Sequence, residues 1–332
     1  MGIFRSDEVG VGDRVVVRRL LPDTPGHLSD IIGHVVSVSP LVLRPQSVGG
    51  FVSTAAPIEV PDELIKVVKK LSPRRVRNSD IRAVEVATAK AFPGIEHTWA
   101  DGGQWLMRAG DGITERSNSA APLGTYAGFD AVPLDEIAAF YARHDLPVRL
   151  LIPERIGAPA EKLINAGGWD LGPEIIVMTR SLTDVPEVNA GDLSFRIDDQ
   201  PDADWLDLYH FRGRALPVHA LELLREQIDG RMGFARLLTP NGETVAITRG
   251  TLTESGDGRR WLGYSAVEVA AAYRRQGLGT RLGQEMLHWG ATSGADGAYL
   301  QVIASNAAGR ALYTKLGFVE HHRHRYAEQV AS

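Results

Sequence analysis

The segment 267–280 constrains the fold most, because it joins a β-branched strand end, a short turn and a glycine-rich helix start. Gly277 and Gly279 let the backbone approach a ligand closely. The first N–H groups of a helix lack partners within the helix, and their dipole favours an anion. Arg274 and Arg275 add positive charge beside them. The segment therefore predicts a cradle for a pyrophosphate.

Two common phosphate-binding loops do not fit these residues. A dinucleotide-binding Gly-x-Gly-x-x-Gly loop needs a third glycine where the chain has Leu282, and a Walker A loop needs a Gly-Lys pair, which the sequence lacks. The run from Arg274 to Gly279 instead matches Arg/Gln-x-x-Gly-x-Gly/Ala and resembles the GCN5-related N-acetyltransferases (GNAT). Asn306–Phe318 resembles the second signature of that family, Asn-x-x-Ala/Gly-x-x-Leu-Tyr-x-Lys-x-Gly-Phe.

The resemblance covers about residues 193–332 and implies an α/β protein with the mixed-sheet GNAT fold. It implies acetyl-CoA as co-substrate and a primary amine as acceptor, either a small molecule or a protein lysine or N-terminus. The backbone of Val267 and Val269 would pair with the pantetheine arm, and Asn306 and Arg310 would complete its site. One continuous run would hold the pyrophosphate: Arg274, Arg275, Gln276, Gly277, Leu278, Gly279 and Thr280.

Two residues are candidates for proton transfer. By the resemblance, Tyr313 would protonate the departing thiolate, and a phenol on a helix can supply that proton. Glu268 is the only acid on its predicted strand and alternates with two valines, so we expect it to face the acceptor and deprotonate the amine through water. Three alternatives stay open: core packing for Tyr313, a helix N-cap for Asn306, and an exposed strand position for Glu268.

Composition narrows the class of protein. The chain has no cysteine, which excludes disulfides, a thiolate nucleophile and cysteine-bound metal, so direct attack of the amine on the thioester is preferred. Its net charge of −5 disfavours a globally basic nucleic-acid binder. Without an apolar run of membrane-spanning length or a secretory signal, we expect a cytoplasmic protein that does not bind membranes.

A histidine-rich run follows the second signature. His321, His322 and His324 alternate with charged residues on the predicted last strand. The run lacks the spacing of a zincin, so we predict a solvated strand and no metal site. A role for His322 or His324 in the acceptor site stays open.

Three segments are predicted along the chain. Residues 1–72 carry short β-branched runs and resemble an SH3-like β-barrel, which could contact a protein partner. Residues 78–184 are predicted to be a degenerate N-terminal GNAT-like lobe, and residues 192–332 the catalytic lobe. The barrel strands are expected at Val15–Val17, Ile31–Val36, Leu41–Leu43 and Ile65–Val68.

The catalytic segment has a readable order of elements. One or two helices are predicted over Trp205–Gly230, where Leu221 and Leu224 are among the residues at helical spacing. Further helices are predicted after Val269 and over Ala307–Leu316, and Asn241-Gly242 predicts a hairpin. The helix after Val269 carries an apolar stripe of Leu278, Leu282, Met286 and Trp289. Strands are predicted at Phe195–Ile197, Phe234–Leu238, Thr244–Leu252, Trp261–Val269, Tyr299–Val302 and from Phe318.

The middle segment repeats the end of the catalytic one. Leu163–Trp169 aligns with Leu312–Phe318, and both helices end in Gly-aromatic. Ile164 stands at the position of Tyr313, so we infer that this copy lost its chemistry. Arg108, Arg116 and Asn118 either shape the acceptor cleft or stabilise a polar turn.

The whole layout resembles an actinobacterial, histone-acetyltransferase-like group of tandem GNAT proteins with an N-terminal SH3-like domain. Two alternatives to a general N-acetyltransferase stay open: a mycothiol-synthase-like enzyme acting on a small molecule, and an acyl-CoA-sensing protein without turnover.

Overall fold

The computed structural model describes residues 2–21, 24, 26–188, 191–211, 214–215 and 226–330. The chain divides into two compact units, Met1–Arg77 with Glu320–His322, and Asn78–Val319 with Arg323–Ser332. Within the described part of the chain, no helix is long and apolar enough to cross a membrane.

The first unit contains a five-stranded antiparallel sheet in the order β4-β3-β2-β1-β5. Val15, Val17, Val35 and Leu43 are buried on its strands and belong to its core. The four strands predicted from sequence are present, and the structure adds a short fifth, β4. The SH3-like assignment stays a prediction. The strands are β1 (Arg14–Leu20), β2 (Leu28–Ser37), β3 (Val42–Pro45), β4 (Ile58–Glu59) and β5 (Ile65–Lys70).

The second unit is built on one nine-stranded sheet in the order β11-β14-β15-β16-β17-β10-β18-β8, with β9 paired to β18. Strands on both sides of the predicted lobe boundary belong to this sheet, because β10 lies between β17 and β18. The sheet strands are β8 (Arg149–Pro153), β9 (Trp169–Leu171), β10 (Ile175–Ser181), β11 (Ser194–Asp198), β14 (Gly230–Leu238), β15 (Thr244–Glu254), β16 (Arg260–Val269), β17 (Gly297–Ile303) and β18 (Val319–Gln329).

Two small hairpins and six α-helices complete the described part of this unit. The hairpins are β6 (Glu96–Ala100) with β7 (Trp105–Ala109), and β12 (His210–Phe211) with β13 (Arg214–Ala215). The helices are α1 (Asn78–Ala91), α2 (Leu134–Arg143), α3 (Ala158–Asn165), α4 (Ala203–Leu208), α5 (Leu278–Thr292) and α6 (Ala307–Lys315).

Helices α1 and α5 cover opposite faces of the large sheet. On β15, a Cβ at Gly250 would meet Met286 of α5, whereas the neighbouring Thr253 donates its hydroxyl to the Ala87 carbonyl of α1 at 2.9 Å. Leu282 and Met286 are fully buried against the sheet, which confirms the predicted apolar stripe. Burial of this stripe fixes which face of α5 packs on the sheet, and Gly277 lies directly before the helix.

Trp205 lies on a short helix within the predicted Trp205–Gly230 region. Helix α4 ends at Leu208, because Tyr209 has an extended backbone and leads directly into β12. The rings of Trp205 and Tyr209 pack together at 5.0 Å. Further along the region, Glu226 and Gln227 are helical. The predicted helical positions Leu221 and Leu224 lie outside the described residues, as do Asn189 and Ala190 of the predicted boundary.

The prediction of a solvated histidine strand is wrong. His322 and His324 are both 0% exposed, because β18 is an interior strand of the sheet. Helix α1 supplies the partner of His324, whose Nδ1 lies 2.7 Å from the Glu85 carboxylate. Sequence alternation indicates which residues share a face, but not which helix covers that face.

Candidate active site

The centre of the second unit is the point where the parallel strands β16 and β17 separate. They pair over three positions and the last pair joins Gly263 to Tyr299, although the strands continue to Val269 and Ile303. Beyond Gly263 the two strands no longer pair with each other, so backbone N–H and C=O groups border a gap between them. A gap of this kind can accept an extended ligand as an additional strand.

A β-bulge shapes the β16 side of this gap. Ile247 pairs with Glu268 and Arg249 pairs with Ser265, so two residues of β16, Ala266 and Val267, lie opposite one residue of β15. Ala266 has φ of 57°, in the left-handed region that non-glycine residues seldom adopt. Bulges re-aim the backbone and are frequent at functional sites. The bulge has no signal in the sequence, because it depends on the pairing between strands.

The predicted pyrophosphate cradle follows β16. The chain makes a 3₁₀ turn, and Gly277, with φ of 81°, then leads into α5. A Cβ at Gly277 would meet nothing within 4 Å, so the space above this turn is open. Within α5, all of whose residues are described, the first turn has no acidic side chain, and no side chain caps it. These features fit an anionic group.

The polar residues of the cradle are exposed, and their hydrogen bonds hold the turn. Arg274 donates from Nε to the Val269 carbonyl at 3.1 Å, and Gln276 donates from Nε2 to the Ala272 carbonyl at 3.2 Å. Arg275, two residues before Gly277, has φ of 61° and is, like Ala266, a non-glycine residue in the left-handed region. Leu278, Gly279 and Thr280 form the first turn of α5. Local hydrogen bonds therefore hold this loop in place.

Helix α6 starts at the end of β17, as the second signature predicts. The Asn306 side chain accepts a hydrogen bond from the Gly309 N–H at 2.9 Å and is the N-cap of this helix. Arg310 is exposed, and its guanidinium donates to the Ala304 carbonyl at 3.2 Å. The cap fixes the direction in which α6 leaves the sheet. A role for either residue towards a ligand stays a prediction.

Tyr313 lies on α6 against the main core and packs edge-on against Phe318 at 6.1 Å. Burial, with a smaller contribution from the negative charge of Glu268, raises the pKa of the Tyr313 phenol to about 12. The phenol is therefore protonated at neutral pH and can act only as a proton donor there. Val267 and Val269 pack against the same core from β16.

The three polar residues singled out in the middle segment have different surroundings. Asn118 stabilises a turn, because its Oδ1 accepts from the Gly110 N–H at 2.8 Å and its Nδ2 donates to the Thr114 carbonyl at 2.7 Å. Arg108 is buried and donates to Ser119 Oγ at 3.1 Å. Arg116 lies over the Phe92 ring, with its guanidinium carbon 4.5 Å from the ring centroid. Asn118 and Arg108 are therefore both held by hydrogen bonds within the middle segment, and Arg116 is held against an aromatic ring.

Comparison with known proteins places residues 78–327 in a family described as "Probable histone acetyltransferase Rv0428c C-terminal". A relative from Mycobacterium tuberculosis, "Probable histone acetyltransferase Rv0428c", is 36% identical over 322 residues, which are 96% of this chain and 95% of that protein. The similarity therefore extends over nearly the whole of both proteins.

Solved structures share the fold of the second unit. A GCN5-related N-acetyltransferase from Kribbella flavida matches with a TM-score of 0.55 and 14% identity, over 76% of this chain and 96% of that one. A tandem GNAT protein from the clavulanic acid biosynthesis pathway matches with a TM-score of 0.51 and 16% identity, over 70% of this chain and 82% of that one. The large mixed sheet is therefore a GNAT fold.

The N-cap of α6 gives a test of local stability. Asn306→Ala removes the acceptor for the Gly309 N–H, and we expect it to lower the free energy of unfolding by about 0.5–2 kcal/mol. Asn306→Asp keeps a capping oxygen, and we expect near wild-type stability. Urea titrations followed by circular dichroism measure both. Equal stability of the alanine variant and the wild type would contradict a structural role for the cap.

Proposed function

The chain belongs to the Rv0428c C-terminal family of probable histone acetyltransferases, and from this membership we propose that it transfers the acetyl group of acetyl-CoA to a primary amine by direct attack on the thioester. The protein is an N-acetyltransferase of the GNAT superfamily. Family membership sets aside the alternative of an acyl-CoA sensor without turnover.

One observation carries the proposal: the gap between β16 and β17 opens towards the same end of the sheet at which α5 begins with an uncapped glycine turn. In the proposed complex, the diphosphate of acetyl-CoA lies on the first turn of α5, from Gly277 to Thr280. Arg274, Arg275 and Gln276 border it. The pantetheine arm pairs with the backbone of Val267 and Val269, and Asn306 and Arg310 close its other side.

The transfer needs one nucleophile and two proton transfers. The nitrogen of the acceptor amine attacks the thioester carbonyl carbon, a carbon–nitrogen bond forms, and the carbon–sulfur bond breaks. Tyr313 gives its phenolic proton to the departing sulfur, since a phenol is protonated at neutral pH. Glu268 accepts the proton that the nitrogen loses, through water. Holding the two reactants together supplies a large part of the rate.

The glycine turn provides a test of the diphosphate position. Gly277→Glu places a carboxylate in the open space above the helix start, and we expect acetyl-CoA binding to be abolished by repulsion and by loss of that space. Isothermal titration calorimetry measures the affinity. Gly258→Glu is a matched control, because Gly258 also has φ of 82° and open space around it but lies away from α5. Retained affinity in Gly277→Glu would place the diphosphate elsewhere.

The phenol of Tyr313 provides a test of the proton donor. Tyr313→Phe keeps the ring packed on Phe318, and we expect kcat to fall about 10²-fold or more while the acetyl-CoA affinity stays within about twofold. Steady-state kinetics with thiol detection and calorimetry measure the two quantities. Tyr126→Phe is the control, because Tyr126 is exposed. An unchanged kcat in Tyr313→Phe would show that another group protonates the sulfur.

A further inference from the structure

A narrow cleft lies on the α1 face of the sheet, at the point where β16 and β17 part. The space between its walls, about 210 Å³, includes open solvent, and no part of it is an enclosed cavity that would hold a water molecule. Gly263 and Tyr299, the last parallel pair, form part of its wall. The cleft is therefore next to the gap in which the proposed thioester lies. Its other lining residues are Thr88, Phe92, Arg116, Thr251, Tyr264, Ser265 and Gln301.

Two arginine side chains pack against the ring of Phe92, which lines this cleft. The guanidinium carbon of Arg116 lies 4.5 Å from the Phe92 ring centroid, and that of Arg249 lies 5.2 Å from it. Arg249 is 2% exposed and reaches the wall of the cleft through Ser265, to whose Oγ it donates from Nε at 3.0 Å. The two residues are called the arginine pair below. Stacking on an aromatic ring stabilises a guanidinium but does not neutralise its charge.

The arginine pair has no carboxylate partner among the described residues. Nη1 of Arg249 is buried and has no hydrogen-bond acceptor in the described part of the chain. Arg236, another buried arginine of the same sheet, shows the usual arrangement, since Asp198 and Asp202 lie 3.3 and 2.9 Å from its guanidinium. A buried charge without a counter-ion is destabilising, so such an arrangement indicates a function.

The surroundings of Arg249 are positive or neutral. Burial lowers the pKa of its guanidinium and the charge of Arg116 lowers it further, whereas Tyr209 and Tyr299 oppose this shift. The nearby carboxylate of Glu85 on α1 is already 2.7 Å from His324. A third polar group, Nε2 of Gln301, is also buried in the cleft wall with no acceptor in the described part of the chain.

We propose that the acceptor amine carries a carboxylate and that the arginine pair binds this carboxylate in the cleft. The inference rests on the proposed function and names the substrate class of the same site. A guanidinium fork binds a carboxylate through two parallel hydrogen bonds, and Gln301 can donate a further one. A lysine-rich protein tail carries the wrong charge for this wall, so the structure favours a small amino acid-like acceptor.

The first test measures acceptor preference. Each common L-amino acid and its carboxamide are supplied to the full-length enzyme with acetyl-CoA, beside a lysine-rich peptide with a blocked C-terminus. We expect kcat/KM for the best amino acid to exceed that for its carboxamide at least about tenfold. The carboxamide has the lower amine pKa and therefore the more abundant neutral amine, so intrinsic reactivity opposes this result. An equal or higher kcat/KM for the carboxamide or the peptide would overturn the inference.

Variants of the arginine pair test whether the preference for an acceptor with a carboxylate depends on these two residues. We expect Arg249→Met and Arg116→Gln each to reduce the ratio of kcat/KM for the amino acid to kcat/KM for its carboxamide at least about tenfold. We expect Arg249→Lys to retain part of the wild-type ratio. Because Arg249 has no counter-ion among the residues that the structure describes, we expect Arg249→Met not to lower the melting temperature. Arg143→Met is the control, since Arg143 also stacks on a ring, that of Phe140 at 5.5 Å, but pairs with Glu96. An unchanged ratio in both Arg249→Met and Arg116→Gln would overturn the inference.

A second measurement does not depend on turnover. Calorimetry compares N-acetylglycine with N-acetylglycinamide, two small product analogues that differ in the carboxylate. We expect the acid to bind at least about tenfold more tightly to the wild type, and this difference to be lost in Arg249→Met. If acetyl-CoA does not bind, the proposed function fails, whereas this comparison still decides the carboxylate site. Equal binding of the two probes, or binding of neither, would contradict the proposed carboxylate site.

Discussion

The separation of two parallel strands is the constraint on which the rest of the structure depends. β16 and β17 run side by side only as far as Gly263 and Tyr299, and each then leads into a helix at the same end of the sheet. Since parallel strands place their carboxyl ends at one edge, the glycine turn of α5 and the asparagine cap of α6 come to that edge together. The bulge at Ala266 directs β16 away from its neighbour.

The charges of the site are divided between its two sides. On the α5 side, Arg274 and Arg275 are exposed beside an uncapped helix start, which suits a large, hydrated anion. On the α1 side, Arg116 and Arg249 lie against Phe92 at the wall of a narrow cleft, which suits one small anionic group. Between the two sides lies Tyr313, whose phenol is protonated at neutral pH. In the proposed complex, this division lets one gap receive a coenzyme and an acceptor from different faces.

Features that depend on short stretches of chain were predictable from the sequence. The strand, turn and helix around Gly277 and the helix from Ala307 were predicted correctly, because positive φ values and helix caps are encoded by neighbouring residues. Features that depend on contacts between residues far apart in the chain were not predictable from the sequence. The bulge at Ala266 needs the register with β15, and the burial of His324 needs α1 above it. The arginine pair joins three distant segments of the chain around one ring, and sequence spacing carries no signal for such a cluster.

A crystal structure of the complex with acetyl-CoA tests the central claim most directly. The account predicts that the diphosphate lies within hydrogen-bond distance of the backbone N–H groups of residues 277–280, and that the thioester carbonyl lies in the gap beyond Gly263 and Tyr299. A diphosphate bound to the strands and helices of residues 78–184, or a gap filled by side chains in the complex, would contradict it.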